Sequence, residues 1–247
     1  MFLFYHFGRY IILLGHCFLA SPEKLSMYWK EIVRQIYDIG IGSFGIVAIV
    51  ATFIGAVTAV QFSEQLIGIG FIPMWWMGLI VRDSMMLELA PTITAMLLAG
   101  KIGSNIATEI GTMRTSEQID ALEIMGVNTP GYLIAPKIVA AMVSIPMLVI
   151  LALALGLGGG WAAGVSMDYY TSQEYVKGLQ DGMDAYYLFL MLLKSVINGF
   201  IITSISCYQG YFVKGGPLEL GAASTRAVVI SNIAIIVANF LVASLLL

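Results

Sequence analysis

The sequence predicts an all-α integral membrane protein with about five transmembrane helices. Hydrophobic residues make up 59% of its 247 residues and charged residues only 11%, and the mean hydropathy is +0.90. Soluble globular chains carry considerably more charge than this. Four stretches contain no charged residue and approach or exceed the roughly 20 residues that a helix needs to cross a bilayer. They are residues 39–63, 138–167, 195–213 and 227–247.

Residues 1–38 are expected to form an interfacial elbow that leads into the first span. After Arg9, the uncharged segment at residues 10–22 is too short to cross a bilayer but suits a helix lying in the interface. Ser21 and Pro22 then have the order of an N-cap and a first helical residue, which predicts a second, amphipathic helix. A cleaved signal peptide is the alternative, and Phe18 disfavours it because cleavage sites favour small residues.

The second span is predicted at residues 84–107, although its longest uncharged part, residues 89–100, gives only about 18 Å of helix. Glu88 and Lys101 must therefore lie at or inside its ends and face protein or water. Residues 65–81 are uncharged too, but Gly68 and Pro73 interrupt them, which predicts an interfacial connection. The predicted spans of this single domain, residues 1–247, are 40–63, 84–107, 138–165, 186–210 and 226–246.

The later spans carry three further signals. In the third span, Gly156, Gly160 and Gly164 have the four-residue spacing that allows two helices to approach closely. After it, Thr171 and Glu174 match a capping box and predict a short amphipathic helix, either a connector or a docking surface. Lys194, in the fourth span, is expected to reach the outer interface or a partner on another helix through its long side chain.

The distribution of basic residues predicts a cytoplasmic N-terminus and a C-terminus on the opposite side. With this orientation, nine of the twelve Lys and Arg residues are cytoplasmic. Arg82 and Lys177 lie outside, and Lys194 lies within a span. An excess of positive charge on the cytoplasmic side is typical of multi-pass membrane proteins.

The segment EIGTMRTSEQIDALEIMGV, residues 109–127, carries unusually dense charge for such an apolar chain: five charged residues, four of them acidic. Thr115 and Gln118 match a capping box, and Gly126 followed by Pro130 ends the helix, which predicts a helix over residues 116–125. Glu117, Asp120 and Glu123 then form an acidic stripe, and Ile119, Leu122 and Met125 form an apolar one.

This charged helix has two interpretations, a solvated loop or a coupling helix that fits a groove on a separate cytoplasmic motor. Its many apolar residues favour the coupling helix, because a helix of about ten residues is marginal unless it packs on a partner. No G-x-x-x-x-G-K-[ST] motif is present, so ATP and Mg²⁺ would be bound by another chain and no cofactor by this one. His6 and His16 lack the neighbouring ligands of a metal site.

Several segments of the sequence resemble those of a known family. The run EIGTMRTSEQIDALEIMGVNTPGYLIAPKIVAAMVSIPML, residues 109–148, resembles the signature of the MlaE permeases, the membrane subunits of MCE-type ABC lipid transporters. FIGAVTAVQ at residues 53–61, AGKIGSNIATEIG at 99–111 and KGGPLELGAASTRAVV at 214–229 resemble other parts of the family pattern. One departure concerns Leu87, which stands where the family has an arginine, so that Glu88 loses its adjacent cation.

The resemblance implies a homodimeric permease in a bacterial inner membrane that moves phospholipid or a related lipid. An ABC ATPase subunit would engage the charged helix, and an MCE-domain protein would lie on the periplasmic side. The residues expected to couple to the ATPase are Glu109, Met113, Arg114, Glu117, Gln118, Ile119, Asp120, Leu122, Glu123 and Met125. Those expected to line a lipid cavity between the two copies are Val57, Val60, Gln61, Phe62, Leu66, Glu88, Leu89 and Leu97.

Two other functions compete with this one. A stand-alone secondary transporter of a hydrophobic substrate would show inverted repeats and ion-binding carboxylates at mid-membrane, whereas Glu88 is the one plausible carboxylate and lies near the end of a span. A membrane enzyme acting on lipids would need a cluster of catalytic groups, and the Ser, His and Asp residues form no such motif. A requirement for ATP and a second, nucleotide-binding chain distinguishes the three functions.

Overall fold

The computed structural model describes residues 2–19, 25–69 and 73–246, and every regular element in these ranges is helical. The helices are α1 (Phe2–Leu19), α2 (Leu25–Ile69), α3 (Trp76–Ser84), α4 (Thr94–Leu98), α5 (Ser104–Thr115), α6 (Gln118–Ile124), α7 (Thr129–Leu133), α8 (Ala135–Ser166), α9 (Ser172–Gln180), α10 (Ala185–Tyr211) and α11 (Pro217–Leu246). Two π-helical segments, π1 (Met85–Ile93) and π2 (Ala99–Gly103), join α3, α4 and α5.

Five helical segments of the described chain are long and apolar enough to cross a membrane, which confirms the predicted number. They are Tyr28–Gly68, Trp76–Thr115, Thr129–Ser166, Ala185–Tyr211 and Pro217–Leu246. Each is longer than the uncharged stretch that predicted it. The helices continue past the membrane-length segments because the flanking charged residues are also good helix formers.

The N-terminal region differs from a simple elbow followed by a separate span. α2 runs for 45 residues without a break, so the amphipathic part near its start is continuous with the first span. The predicted N-cap at Ser21 and Pro22 lies outside the described residues. The predicted connection at residues 65–81 is largely helical, since α2 extends to Ile69 and α3 begins at Trp76. Gly68 sits in open space and costs α2 only about 1 kcal/mol of helix propensity.

Glycines allow α2 and α8 to pack almost backbone to backbone. A Cβ added to Gly55 would lie 1.8 Å from the carbonyl oxygen of Gly156, and one added to Gly159 would lie 2.1 Å from the carbonyl oxygen of Thr52. The predicted role of Gly156 in close helix packing is therefore confirmed. Gly164 differs from the prediction because its missing side chain makes room for the ring of Tyr170 and not for a second helix; a Cβ added there would lie 1.9 Å from that ring.

The end of the bundle away from α6 is covered by α9, which packs on α3. The predicted capping box is present, with Thr171 Oγ1 accepting from the Glu174 backbone and the Glu174 carboxylate accepting from the Thr171 N–H. Arg82 of α3 is buried and donates to the carbonyl oxygens of Leu179 and Asp181 at the end of α9. α9 is thus held firmly against its own chain, as the connector interpretation requires.

Candidate functional site

The charged segment forms a shorter helix than the sequence predicts. α6 covers Gln118–Ile124, and Glu117 is its N-cap in a left-handed conformation with φ of 59° and no side-chain cap. The predicted capping box is wrong. α5 continues to Thr115, and because that residue still belongs to a helix, its hydroxyl donates to the Thr112 carbonyl of its own turn.

The C-terminal end of α6 confirms the prediction for Gly126. This glycine has φ of +80°, a conformation that side chains rarely adopt. Its N–H donates to the Glu123 carbonyl at 3.0 Å, and the Val127 N–H donates to the Leu122 carbonyl at 3.1 Å. These two bonds form the Schellman arrangement that satisfies the last carbonyls of a helix.

Part of the predicted acidic stripe is already paired within the chain. Arg114 Nη1 lies 2.6 Å from Asp120 Oδ1 and 3.9 Å from Glu123 Oε1. Glu123 Oε1 also accepts hydrogen bonds from Tyr211 at 2.7 Å and Thr129 at 3.1 Å. Asp120 and Glu123 therefore attach α6 to α5, α7 and α10.

Burial divides α6 into an inner side and an open side. Ile119 is completely buried in the hydrophobic core, so the expectation that it anchors a partner is wrong. Ile124 is 88% exposed and Met125 is 69% exposed. Glu117 and Gln118 are exposed as well. Leu122 is half-buried between the two sides, and Met113 of α5 is half-buried as well.

A second ion pair connects the base of α5 to the third span. Lys137, with its side chain only 5% exposed, lies 2.6 Å from Glu109 Oε2. Truncating one member of such a pair leaves the other charge without its partner, which is costly when that charge is buried. This pair links α5 directly to the start of α8.

Near the other end of the second span, Glu88 has the cation that the sequence did not reveal. Lys194 of α10 is 1% exposed, and its Nζ lies 2.6 Å from Glu88 Oε1 and 2.6 Å from the Leu87 carbonyl oxygen. Of the two alternatives predicted for Lys194, the structure shows the partner on another helix. Glu88 is 49% exposed, so one side of the pair opens away from the chain.

The backbone of π1 offers Lys194 an acceptor. Pro91 lies inside π1 and has no N–H, so this segment has one backbone donor fewer than a segment without proline. Lys194 donates to one of its carbonyls, that of Leu87. Thr92 extends the polar group by donating to Glu88 Oε2 at 3.1 Å, and it accepts from Asn239 of α11 at 2.8 Å. One polar network thus joins π1, α10 and α11.

The predicted lipid-contacting residues are only partly brought together. Leu89 and Leu97 line a narrow apolar cleft between α2 and the second span, with a free volume of about 10 Å³, enough for about one water. On α2, Val57 and Gln61 are exposed, whereas Val60 and Phe62 are half-buried. Leu66 is buried within its own bundle. The prediction that it contacts lipid is therefore wrong in this conformation.

Comparison with known proteins finds relatives that match most of the chain. The model of the family described as Permease MlaE matches residues 32–245. A probable ABC transporter permease protein of Rickettsia bellii is 35% identical over 92% of this chain and 87% of its own length. The intermembrane phospholipid transport system permease protein MlaE of Haemophilus influenzae is 29% identical over 97% of this chain and 91% of its own length.

A more distant relative is the chloroplastic protein TRIGALACTOSYLDIACYLGLYCEROL 1 of Arabidopsis thaliana, 28% identical over 90% of this chain and 63% of that protein. The family match includes α6 and nearly all of the five candidate spans. A multi-pass helical bundle, a charged helix after the second span and a match over most of the chain together show that this chain belongs to the MlaE permease family.

Proposed function

We propose that this chain is the permease subunit of an ATP-driven ABC transporter that moves phospholipid between the inner membrane and an MCE protein, and that it works as a homodimer. Its relatives are named as ABC transporter permeases and as a phospholipid transport permease. ATP and Mg²⁺ would be bound by a separate ATPase subunit. In this proposal the N-terminus and α6 are cytoplasmic and the C-terminus is periplasmic.

The observation that carries this proposal is the two-sided character of α6. Its inner side is fixed by buried Ile119 and by the Arg114 pairs, so α6 moves together with α5. Its open side presents Ile124 and Met125, two large exposed apolar side chains, together with the exposed carboxylates of Glu117 and Glu123. Exposed apolar residues rimmed by polar ones are typical of a protein interface. A motor that pulls on this side would shift the second and third spans.

The lipid-handling part of the proposal rests on the open edge of the Glu88–Lys194 pair. A phospholipid needs apolar surface for its acyl chains and a few polar groups for its head. Exposed Phe53, Val57 and Gln61 follow one face of α2 at four-residue spacing. We infer that this face, Glu88 and the cleft at Leu89 border a cavity completed by the second copy.

Co-purification tests the coupling function. The double variant Ile124→Asp/Met125→Asp keeps Ile119 and the Arg114 pairs and should lose the ATPase subunit during purification, while the permease itself still inserts. Glu117→Lys alone should weaken the association, because it reverses an exposed charge on the same side. The matched control is Met167→Asp/Met183→Asp, which alters two exposed methionines near α9. Full ATPase recovery with the α6 variant would refute the proposed coupling role.

Reconstitution tests the transport function. Fluorescent phospholipid should move out of vesicles only when the permease, the ATPase subunit and ATP are all present. Movement with the permease alone, driven by an ion gradient, would instead support a secondary transporter.

A further inference from the structure

A separate cavity lies at the α6 end of the bundle, between α1, the end of α10 and the start of α11. Its volume is about 640 Å³. The residues that define its chemistry are Tyr5, Arg9, Phe212, Lys214, Arg226 and Ile230. We call it the basic groove. Lys194 precedes the groove residue Tyr208 by 14 positions on α10, about 21 Å along a helix, so the groove is distinct from the Glu88–Lys194 site.

The groove has more positive than negative charge. Arg9, Lys214 and Arg226 come from three different segments, and the one carboxylate in the lining is Glu219. The Arg226–Glu219 distance is 3.9 Å and both side chains are 59% exposed. Such a long, exposed pair contributes little, so it leaves the groove electropositive.

Two of the three cations have unused hydrogen-bonding capacity. The guanidinium of Arg9 lies 3.9 Å above the Phe212 ring and 5.5 Å from the Tyr5 ring. Aromatic rings hold the position of a guanidinium but accept few of its N–H groups, which stay available for an anion. Within the described residues, Lys214 forms no ion pair either. Arg and Lys side chains arranged in this way are suited to phosphate.

An apolar track leads from the groove along α11. Ile230, Ile233 and Val237 follow Arg226 at intervals of four, three and four residues, so all four lie on one side of the helix. These three side chains are 40%, 58% and 52% exposed. A small soluble anion would make no favourable contact with this apolar surface, whereas an acyl chain would cover it. A cationic head-group site continued by an apolar helix face has the chemistry of a phospholipid.

We propose that the basic groove binds one anionic phospholipid of the leaflet on the α6 side, with its phosphate between Arg9, Lys214 and Arg226. One acyl chain lies along Ile230, Ile233 and Val237. Basic pockets between transmembrane helices on the cytoplasmic side are suited to anionic head groups. The proposal does not require transport, and its only link to the proposed function is the assignment of that leaflet as cytoplasmic.

Photo-crosslinking locates the lipid on the full chain. The protein is placed in nanodiscs of phosphatidylcholine, and a phosphatidylglycerol with a diazirine in its acyl chain is added in increasing amounts. Saturable labelling is expected on the α11 segment at residues 230–237. The same diazirine on phosphatidylcholine should label this segment weakly and without saturation. Equal labelling by the two probes would overturn the proposal.

Charge variants test the head-group contacts. Lys214→Gln/Arg226→Gln should raise the half-saturating fraction of phosphatidylglycerol about 25-fold, from roughly fivefold for each basic group. The matched control Lys30→Gln/Arg34→Gln removes two exposed cations from α2 and should leave the fraction unchanged. Thermal unfolding checks that both variants fold. An unchanged fraction in the groove variant, or equal shifts in both, would refute the site.

Two further measurements distinguish a bound phospholipid from other occupants of the groove. Inorganic phosphate at millimolar concentration should not displace the lipid, because it cannot use the α11 track; full displacement would show a simple anion site and overturn the proposal. In the complex with its partner chains, phosphatidylglycerol should still label residues 230–237. Loss of that label together with a crosslink from this segment to a partner's transmembrane helix would show that a protein, and not a lipid, occupies the groove.

Discussion

The Glu88–Lys194 pair predicts an unequal response to the loss of its two members. Lys194 is buried and has two acceptors, Glu88 and the Leu87 carbonyl. Glu88 is half-exposed and keeps the Thr92 hydroxyl as a second partner. Glu88→Ala therefore leaves a buried ammonium with one neutral acceptor, whereas Lys194→Met leaves a carboxylate that still has a donor and an open side.

The magnitudes follow from these partners. Truncating one member of a buried pair costs about 3–5 kcal/mol, and Glu88→Ala should lie in that range because the charge that remains is the buried one. Lys194→Met preserves the side-chain volume and should cost about 1–3 kcal/mol, mainly because the Leu87 carbonyl and Glu88 lose the Lys194 donor. The double variant Glu88→Ala/Lys194→Met should be more stable than Glu88→Ala alone, because it removes the stranded ammonium.

Equilibrium unfolding in mixed micelles, followed by the fluorescence of the four tryptophans, measures all three free energies. Glu88→Gln is the conservative control, since its amide oxygen still accepts from Lys194, and it should be the mildest of the Glu88 variants. A Lys194→Met variant that is destabilised as much as Glu88→Ala, or a double variant that loses the sum of the two single effects, would refute the unequal roles of the two residues.

Two other regions give predictions of the same kind. Gly55→Ala should destabilise by about 2–3 kcal/mol or more, because its Cβ would strike the Gly156 backbone, whereas Gly158→Ala meets nothing within 4 Å and should stabilise its helix by up to about 1 kcal/mol; thermal unfolding of the two variants checks the contrast, and equal effects would contradict it. In α9, hydrogen bonds from the Thr171 backbone and hydroxyl lower the pKa of Glu174. The cap should therefore stabilise α9 above the ordinary glutamate pKa and stop doing so as the pH falls through the lowered value. Hydrogen exchange of the α9 amides across acidic pH measures this, and Thr171→Val should reduce the pH dependence; an unchanged profile in that variant would contradict the role of the cap.

Residue order alone was sufficient for the features of this chain that depend on local chemistry. Uncharged length predicts five spans because a bilayer imposes a minimum helix length. Gly126 ends α6 and Thr171 begins α9 because turn and cap geometry involves only a few neighbouring residues. The capping box predicted at Thr115 does not form, because α5 continues through this residue and Thr115 is therefore not the start of a helix.

The predictions that failed concern features that depend on contacts between distant parts of the chain. The spacing of apolar residues in α6 does not indicate which of them faces the protein's own bundle. The structure shows that Ile119 does, whereas Ile124 faces outward. Lys194 and Glu88 are 106 residues apart, and no spacing rule links them. The sequence did contain one indication of this pair. A lysine inside an apolar span needs a partner within the membrane, and a proline inside another span removes a backbone donor, so that a carbonyl there can accept from the lysine.

The structure places its departures from regular helix geometry together in the second span. π1 contains both Pro91 and Glu88, and π2 contains Lys101, which donates to the Gly42 carbonyl of α2. Single π-turns inside α-helices recur at functional sites. The second span is thus interrupted at Glu88 and again at Lys101, whereas α8 is one continuous α-helix despite Pro146. Because α5 follows π2 directly and leads to α6, a pull on α6 would bend this span where its α-helical hydrogen bonding is interrupted. The Glu88–Lys194 pair at its far end is then the contact that such bending would strain or release, which is why the stability of that pair is the first quantity to measure.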